Sequence, residues 1–274
     1  MAAPRRASLR RRAPAPDDQP AAVTTWTVVD EGAVRAVEYA PRGQSRALVC
    51  LLPGLSLTDY VAPTARALAV RGLHCAVLDL PGLARPARVT EAHPARAGEW
   101  AAAWLRTRPV DLPLVLMGHS TGALAALAAA TTTTTPPSLL VLAGPVFVPA
   151  HRRLSRLALA APTAYRRESP REVPAALRLL RHAGRTASLV RSAVHLRPED
   201  LVAGVTTPLV LTAGTADAMA PWHWLEHLHD RATAAPRRRV VVLPGSHNNL
   251  FTHPGEVADL VVAGLEPEPG PPRA

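Results

Sequence analysis

The sequence predicts an α/β fold in which a mostly parallel central sheet carries helices on both faces and a helical segment is inserted late in the chain. Short segments that are apolar throughout alternate with segments of helical periodicity. This alternation stops near residue 148 and resumes near residue 205. Strands that are apolar on both faces are typical of parallel sheets covered on each side. The chain has 274 residues, 48% of them hydrophobic, which is enough for one sizeable core.

The predicted elements follow one another in a regular order. An antiparallel hairpin around Glu31-Gly32 comes first, with strands at 24–29 and 34–39. Apolar strands are then predicted at 47–52, 74–78, 112–117, 139–143, 209–212 and 239–243. Helices are predicted at 59–70, 95–106, 121–130, 221–231 and 254–265.

The chain therefore divides into a sheet-bearing core, one insertion and two tails. We expect the core to comprise residues 23–148 and 205–266, and the helical insertion to comprise residues 149–204. Residues 1–22 are rich in Pro, Ala and Arg without periodicity, so a disordered basic tail is expected there. Residues 267–274 are expected to form a flexible tail.

The composition favours a bacterial, cytoplasmic protein. Lys is absent and all 31 basic side chains are Arg, which indicates GC-rich coding. The only cysteines, Cys50 and Cys75, lie in apolar strands and are expected to be core residues in a reducing compartment. No apolar segment of a signal peptide follows the basic N-terminus. The apolar stretch 112–130 is interrupted by Gly118 to Ser120, so we predict no transmembrane segment.

The positive charge is concentrated in two segments. Residues 1–20 carry a net charge of +3 and residues 151–200 a net charge of +7, whereas the remaining residues are neutral in sum. A coding bias explains many Arg residues but not this segregation. No aromatic interleaving or recognised nucleic-acid-binding module accompanies the charge, so we predict no nucleic-acid partner. We expect a monomer.

A serine between two glycines follows one of the apolar strands. Gly118-His119-Ser120-Thr121-Gly122 fits the pattern G-x-S-x-G, and an Ala- and Leu-rich helix follows it. In this position the pattern is typical of a nucleophile elbow, a sharp turn that lifts the serine hydroxyl above the sheet edge. The turn also brings the hydroxyl near a helix N-terminus, where unpaired N–H groups favour developing negative charge.

A serine hydroxyl is a weak nucleophile until a base removes its proton, and the chain supplies a base and a carboxylate in later loops. Asp217 follows the strand at 209–212, and His247 follows the strand at 239–243. Parallel sheets build their sites at the carboxyl ends of their strands, so the three side chains are expected to meet. The order Ser, Asp, His is the order expected of this elbow architecture.

With these motifs in place, the chain from about Thr24 to Leu265 resembles an α/β-hydrolase with a helical cap. The matching segments are Leu52-Pro53-Gly54-Leu55, Asp79-Leu80-Pro81-Gly82, Gly118 to Gly122, Gly214 to Asp217 and Gly245 to His247. The resemblance implies the α/β-hydrolase fold, a cap at 149–204 and a catalytic triad of Ser120, His247 and Asp217. It implies an oxyanion hole made by the backbone N–H groups of Leu55 and Thr121.

The activity implied by the resemblance is hydrolysis of an ester or a thioester without a cofactor or a metal. Acyl transfer, C–C bond cleavage and lyase chemistry use related sites and stay open as alternatives. A non-catalytic binding protein on the same fold is a further alternative, against which the complete triad argues. In one respect the chain departs from many relatives, because Pro53 stands where they carry His before the glycine of the first loop.

Several residues compete with the predicted triad. Asp79 could serve as the acid, but its Asp-x-Pro-Gly context is typical of a structural turn. His253 could serve as the base, although its position before Pro254 favours a helix cap. His119 is expected to point away from the site. Some relatives take their acid from the end of the preceding strand, and here that strand ends without a carboxylate.

A rival metal motif is formally present. His223-Trp224-Leu225-Glu226-His227 fits H-x-x-E-H, a zinc-hydrolase pattern in which two His side chains share one helix face. Such a site needs a further distal ligand, and this segment also fits the helix after the acid loop. We therefore expect an ordinary surface helix and keep a zinc hydrolase as the remote alternative.

The positive charge of the insertion bears on the charge of the substrate. Arg178, Arg181 and Arg185 recur at helical spacing and are expected to share one face. A solvated outer face is one interpretation. A second is a positive lid that steers an anionic acyl substrate, such as a carboxylated ester or a thioester of CoA or of an acyl carrier protein. A third is adsorption of a basic amphipathic helix to anionic lipid.

Overall fold

The computed structural model describes residues 20–29, 32–80, 93–108, 111–153, 155–156 and 183–266 of the chain. Within these ranges the backbone forms one mixed, mostly parallel sheet with helices on both faces. The predicted fold class is confirmed.

The sheet of the described chain has eight strands in the order β1-β2-β4-β3-β5-β6-β7-β8. They are β1 (Ala22–Val29), β2 (Gly32–Tyr39), β3 (Leu48–Leu52), β4 (His74–Asp79), β5 (Leu114–His119), β6 (Leu139–Ala143), β7 (Leu209–Gly214) and β8 (Arg238–Leu243). Strand β2 pairs antiparallel with β1 and with β4, whereas every pairing from β4 to β8 is parallel. The order reverses at β3, since the chain goes first to β4 on one side and then to β5 on the other.

Helices and short 3-10 turns connect the strands. The helices are α1 (Thr58–Val70), α2 (Pro94–Arg106), α3 (Thr121–Thr132), α4 (Ala183–Ala193), α5 (Pro198–Leu201), α6 (Trp222–Arg231), α7 (Asn249–Thr252) and α8 (Pro254–Leu265). The 3-10 turns are Gly54–Ser56, Pro149–His151 and Val202–Gly204.

Two apolar clusters bury the two faces of the sheet. One includes Trp104 of α2, Leu127 of α3 and Leu228 of α6, packed against the strands. The other includes Leu68 of α1 and Val261 of α8 on the opposite face. The central strands are buried along their whole length, which explains why they are apolar throughout. Because both faces are covered, the loops at the strand ends are the part of the sheet left for a site.

The predicted strands and helices agree closely with the observed ones. Strand β5 differs most, because it begins at Leu114 and continues to His119. Pro113 has no N–H to donate to a sheet ladder, so pairing begins after it. At the other end Gly118 and His119 still pair with β6, in register with Leu142 and Ala143. Cys50 and Cys75 are fully buried free thiols, as expected of core residues.

The described residues of the predicted insertion form helices, turns and short irregular stretches. Helix α4 ends against the core, where Ala193 and Val194 pack in one apolar cluster with Leu124 of α3. The two ends of the insertion are tied by an ion pair of 2.6 Å between Arg152 Nη2 and the buried carboxylate Oε2 of Glu199. This pair joins two residues that are 47 positions apart in the chain.

Candidate active site

The elbow serine stands at the carboxyl end of β5 in a strained backbone conformation. Ser120 has φ 56° and ψ −122°, a left-handed φ that non-glycine residues seldom adopt. The turn is possible because the residues two positions before and after Ser120 are glycines. A Cβ on Gly118 would lie 2.3 Å from the Gly122 carbonyl oxygen, and one on Gly122 would lie 2.1 Å from the Leu52 carbonyl oxygen. Both glycines are therefore required, because the neighbouring backbone leaves no room for a side chain at either position. The left-handed φ of Ser120 is a backbone strain of the kind that clusters at functional sites.

Ser120, His247 and Asp217 lie together and form one continuous hydrogen-bonded chain. His247 Nε2 is 3.0 Å from Ser120 Oγ. On the other side of the ring, His247 Nδ1 is 3.0 Å from Asp217 Oδ2. A carboxylate only accepts hydrogen bonds, so Nδ1 carries the hydrogen of the neutral ring. The lone pair of Nε2 then faces the serine hydroxyl.

The two loops that carry the pair are joined to each other. The Thr215 N–H donates to the Leu243 carbonyl at 2.8 Å, and the Ala216 N–H donates to the Gly245 carbonyl at 2.9 Å. A side chain on Gly144 at the end of β6 would crowd both partners, since its Cβ would lie 3.1 Å from the His247 ring and 3.2 Å from Asp217 Oδ2. Because Gly144 has no side chain, the end of β6 leaves room for Asp217, the carboxylate in the loop after β7.

The Asp217 carboxylate is held as an anion. Its side chain is fully buried, and burial alone would raise its pKa. The electrostatic interaction and hydrogen bond with the His247 ring, together with hydrogen bonds from the N–H groups of Ala220 and Met219, outweigh the effect of burial. The pKa of Asp217 therefore lies below its ordinary value. Those amides donate to Oδ1 at 2.9 and 2.8 Å. Hydrogen bonds to the charged form favour that form.

His119 contacts the site instead of pointing away from it. Its Nε2 donates to the backbone carbonyl of His247 at 2.9 Å, and the two rings lie 5.0 Å apart. Burial, with a further contribution from His247, lowers the pKa of His119 to about 3, so the ring is neutral at physiological pH. His119 thereby supports the loop of His247. Its position beside Ser120 was the only sequence signal of this contact.

The first loop lies directly over the elbow. Pro53 precedes the turn Gly54–Ser56, and a Cβ on Gly54 would lie 2.9 Å from the Cβ of Ser120. Leu55 has φ 51° and ψ 24°, and its N–H donates to Thr121 Oγ1 at 2.9 Å. The Thr121 N–H belongs to the first turn of α3, where helices leave N–H groups without internal partners. The two residues predicted for an oxyanion hole are therefore neighbours, with one of the two N–H groups bonded to a side chain.

The competing residues have other partners. Asp79 forms an ion pair of 2.9 Å with Arg35 on the neighbouring strand. His253 precedes α8, and its Nδ1 lies 2.9 Å from Thr252 Oγ1. His223, Glu226 and His227 of the zinc motif are exposed on α6. Within the described ranges, no three His, Cys, Asp or Glu side chains are grouped as metal ligands.

The predicted arginine face of the insertion lies largely outside the described residues. Arg178 and Arg181 lie outside the described residues. The backbone of Arg185 belongs to α4, but its side chain also lies outside the description.

Comparison with known proteins identifies the family. A model of the Alpha/beta hydrolase family matches residues 48–260, and the chain belongs to that family. No curated protein matches the chain in sequence. Within the described residues, no helix is long and apolar enough to cross a membrane.

Solved structures with the same fold include several enzymes of low sequence identity. A thermophilic esterase from Thermogutta terrifontis is 18% identical with a TM-score of 0.68, covering 89% of this chain and 98% of its own. The enol-lactonase from Burkholderia xenovorans LB400 is 18% identical with a TM-score of 0.69, covering 88% and 99%. The thioesterase domain from the curacin biosynthetic pathway is 17% identical with a TM-score of 0.63, covering 89% and 99%.

Proposed function

We propose that the chain is a serine hydrolase that cleaves an ester or a thioester through an acyl-enzyme on Ser120. The observation that carries this proposal is the hydrogen-bonded chain from Ser120 Oγ through the His247 ring to the Asp217 carboxylate. The proposed base, His247, lies within hydrogen-bonding distance of the nucleophile Ser120 on one side and of the orienting carboxylate Asp217 on the other.

In the first half-reaction, Ser120 Oγ attacks the acyl carbonyl carbon while His247 Nε2 takes the hydroxyl proton. A tetrahedral intermediate forms with a negative charge on the former carbonyl oxygen. His247 then gives its proton to the leaving alcohol or thiol as the bond to it breaks. This step leaves the acyl group on Ser120 and the ring neutral again.

In the second half-reaction, His247 takes a proton from water, and the resulting hydroxide equivalent attacks the acyl carbonyl. The second tetrahedral intermediate collapses as His247 returns the proton to Ser120 Oγ, and the free acid leaves. Throughout both steps Asp217 holds the hydrogen on Nδ1 and stabilises the cationic ring. Its lowered pKa keeps it ionised for that role.

Hydrolysis is the reaction class we favour among those the family catalyses. The names of the esterase, the enol-lactonase and the thioesterase describe those proteins, and all three denote cleavage of an ester or a thioester. Acyl transfer, C–C bond hydrolysis and lyase chemistry use the same serine geometry and remain the alternatives. They differ in whether water or another acceptor takes the acyl group.

The substrate class that the charge favours is an anionic acyl compound, such as a carboxylated ester or an acyl thioester of CoA or of a carrier protein. Residues 151–200 carry a net charge of +7 in the segment expected to cover the site. Such a field raises the rate of encounter with anions and is screened by salt. Comparing a neutral ester with its carboxylated analogue at low and high salt tests this. Equal kcat/KM values without salt dependence would exclude it.

The reaction class is tested by measuring acyl-ester hydrolysis over a panel of chain lengths and leaving groups, with and without a chelator. We expect Ser120→Ala to abolish turnover and the chelator to have no effect. Turnover that survives Ser120→Ala but is lost with the chelator would instead support the zinc hydrolase at His223, Glu226 and His227.

A further inference from the structure

The hydroxyl of Thr121, the residue after Ser120, connects the elbow to the first loop. The Leu55 N–H donates to Thr121 Oγ1 at 2.9 Å, and Thr121 is only 5% exposed. A single N–H hydrogen makes one well-aligned bond. In this conformation the Leu55 amide is therefore bonded to the threonine and is not open to a substrate.

The same hydroxyl retains a hydrogen of its own. A threonine hydroxyl has one donor and two acceptor sites, and here one acceptor site takes the Leu55 N–H. Among the residues that the structure describes, no acceptor receives the Thr121 hydroxyl hydrogen. A buried hydroxyl with an unused donor lies beside Ser120, at the N-terminus of α3.

We propose that the Thr121 hydroxyl is itself an oxyanion donor, so that the Leu55 amide acts on the substrate through it. This inference rests on the proposed function. The N–H of Leu55 donates to Oγ1, the O–H of Thr121 donates to the oxygen of the tetrahedral intermediate, and the Thr121 N–H donates to the same oxygen. No proton is transferred along this chain. The bond from Leu55 polarises the hydroxyl and strengthens the bond that it donates.

This arrangement requires no rearrangement of the resting site. Leu55 is held at a left-handed φ of 51°, and its hydrogen bond to Thr121 keeps the loop there. Donors that are already placed before the charge develops contribute most to catalysis. In the opposite account, the hydroxyl only occupies the hole and must turn away before a substrate binds. That account predicts that removal of the Thr121 hydroxyl leaves the activity unchanged or raises it.

The test compares Thr121→Val, which removes the hydroxyl and keeps the shape, with Thr121→Ser, which keeps the hydroxyl. With a p-nitrophenyl ester we expect Thr121→Val to lower kcat by about 10²–10³, the loss typical of one oxyanion donor, with KM changed little. Thr121→Ser is expected to retain most of the activity. Thr131→Val is the matched control, because Thr131 lies in the same helix with its exposed hydroxyl bonded to the Ala128 carbonyl.

A second substrate separates donation to the oxyanion from support of the loop. Sulfur is a poor hydrogen-bond acceptor, so a thionoester depends less on the hole than its oxygen ester does. If the hydroxyl donates, Thr121→Val slows the oxygen ester far more than the thionoester. An equal loss for both esters would assign Thr121 to loop support and overturn the inference.

Two further outcomes would each overturn the inference, and they differ in what they mean for the proposed function. A Thr121→Val enzyme as fast as the wild type, or faster, means that the hydroxyl only blocks the hole, and this overturns the inference while leaving the proposed function intact. A wild-type protein that hydrolyses no acyl substrate overturns the proposed function and the inference together. Thermal unfolding verifies that Thr121→Val is folded, and Thr121→Ala supplies the same deletion if it is not.

Discussion

At the scale of single residues, the site depends on the protonation state of buried groups. Asp217 is ionised because hydrogen bonds and the neighbouring His247 overcome the effect of burial on its pKa. His119 is neutral because burial lowers its pKa to about 3. Each protonation state agrees with an observed hydrogen bond, because the Asp217 carboxylate accepts from His247 Nδ1 and the His119 ring donates to the His247 carbonyl. Together they fix both the tautomer and the position of the catalytic ring that we propose.

Asp217→Asn should lower kcat by about 10⁴ without unfolding the protein. An amide at this position no longer requires the hydrogen on Nδ1, so the ring can adopt the tautomer that presents a donor to Ser120. Steady-state hydrolysis at pH 7 measures the loss. Asp230→Asn, on an exposed part of α6, is the control and should leave kcat unchanged. Wild-type kcat in Asp217→Asn would remove Asp217 from the mechanism.

At the scale of elements, the elbow depends on contact between segments that are distant in the chain. Helix α3 packs so closely against β3 that a Cβ on Gly122 would lie 2.1 Å from the Leu52 carbonyl oxygen. The turn at Ser120 and α3 can take this position only because Gly122 has no side chain. The pattern G-x-S-x-G predicted this turn from the sequence. The partner that makes the second glycine necessary lies on β3 and was not visible in the motif.

Gly122→Ala should therefore destabilise the protein by about 1–3 kcal/mol or prevent folding, since the new methyl group forces β3 and α3 apart. Chemical denaturation monitored by circular dichroism measures the change. Gly184→Ala is the matched control, because nothing lies within 4 Å of a Cβ at that position. Equal stability of Gly122→Ala and the wild type would contradict the packing described here.

The same distinction explains what the sequence could and could not predict. Apolar runs and glycine-bounded motifs predicted the strands, the elbow and the loops that bring Ser120, Asp217 and His247 together, since these follow local patterns. The bond from Leu55 to Thr121 joins residues 66 positions apart, and the bond from His119 to His247 joins residues 128 apart. Side-chain contacts of that kind depend on how loops pack, which periodicity does not encode.

At the scale of the whole molecule, a partly buried ion cluster around Glu38 lies at the end of the sheet away from Ser120. Glu38 on β2 accepts from Thr25 Oγ1 at 2.6 Å and from Arg108 Nη2 at 2.8 Å, and its other oxygen lies 2.9 Å from His74 Nε2. Burial would raise the pKa of Glu38, but these partners prevail and lower it from 4.5 to about 2. The cluster links β1, β2 and β4 to the segment after α2.

Because its pKa is lower in the folded chain, ionised Glu38 stabilises the fold above about pH 4.5, and this contribution is lost as the pH falls toward about 2. Glu38→Gln should lower the free energy of unfolding at pH 7 by at most about 3 kcal/mol, with a smaller difference from wild type near pH 3. Urea denaturation at both pH values measures this. The exposed Glu226→Gln is the control. A difference independent of pH would contradict the assignment.

The central claim is that Ser120 carries the acyl group, and covalent labelling tests it most directly. The protein is treated with a fluorophosphonate, which reacts with activated serines, and the modified peptide is identified by mass spectrometry. The account predicts one phosphonyl group on Ser120, with no label on Ser120→Ala and no effect of a chelator. A protein that hydrolyses esters while Ser120 stays unmodified would contradict it.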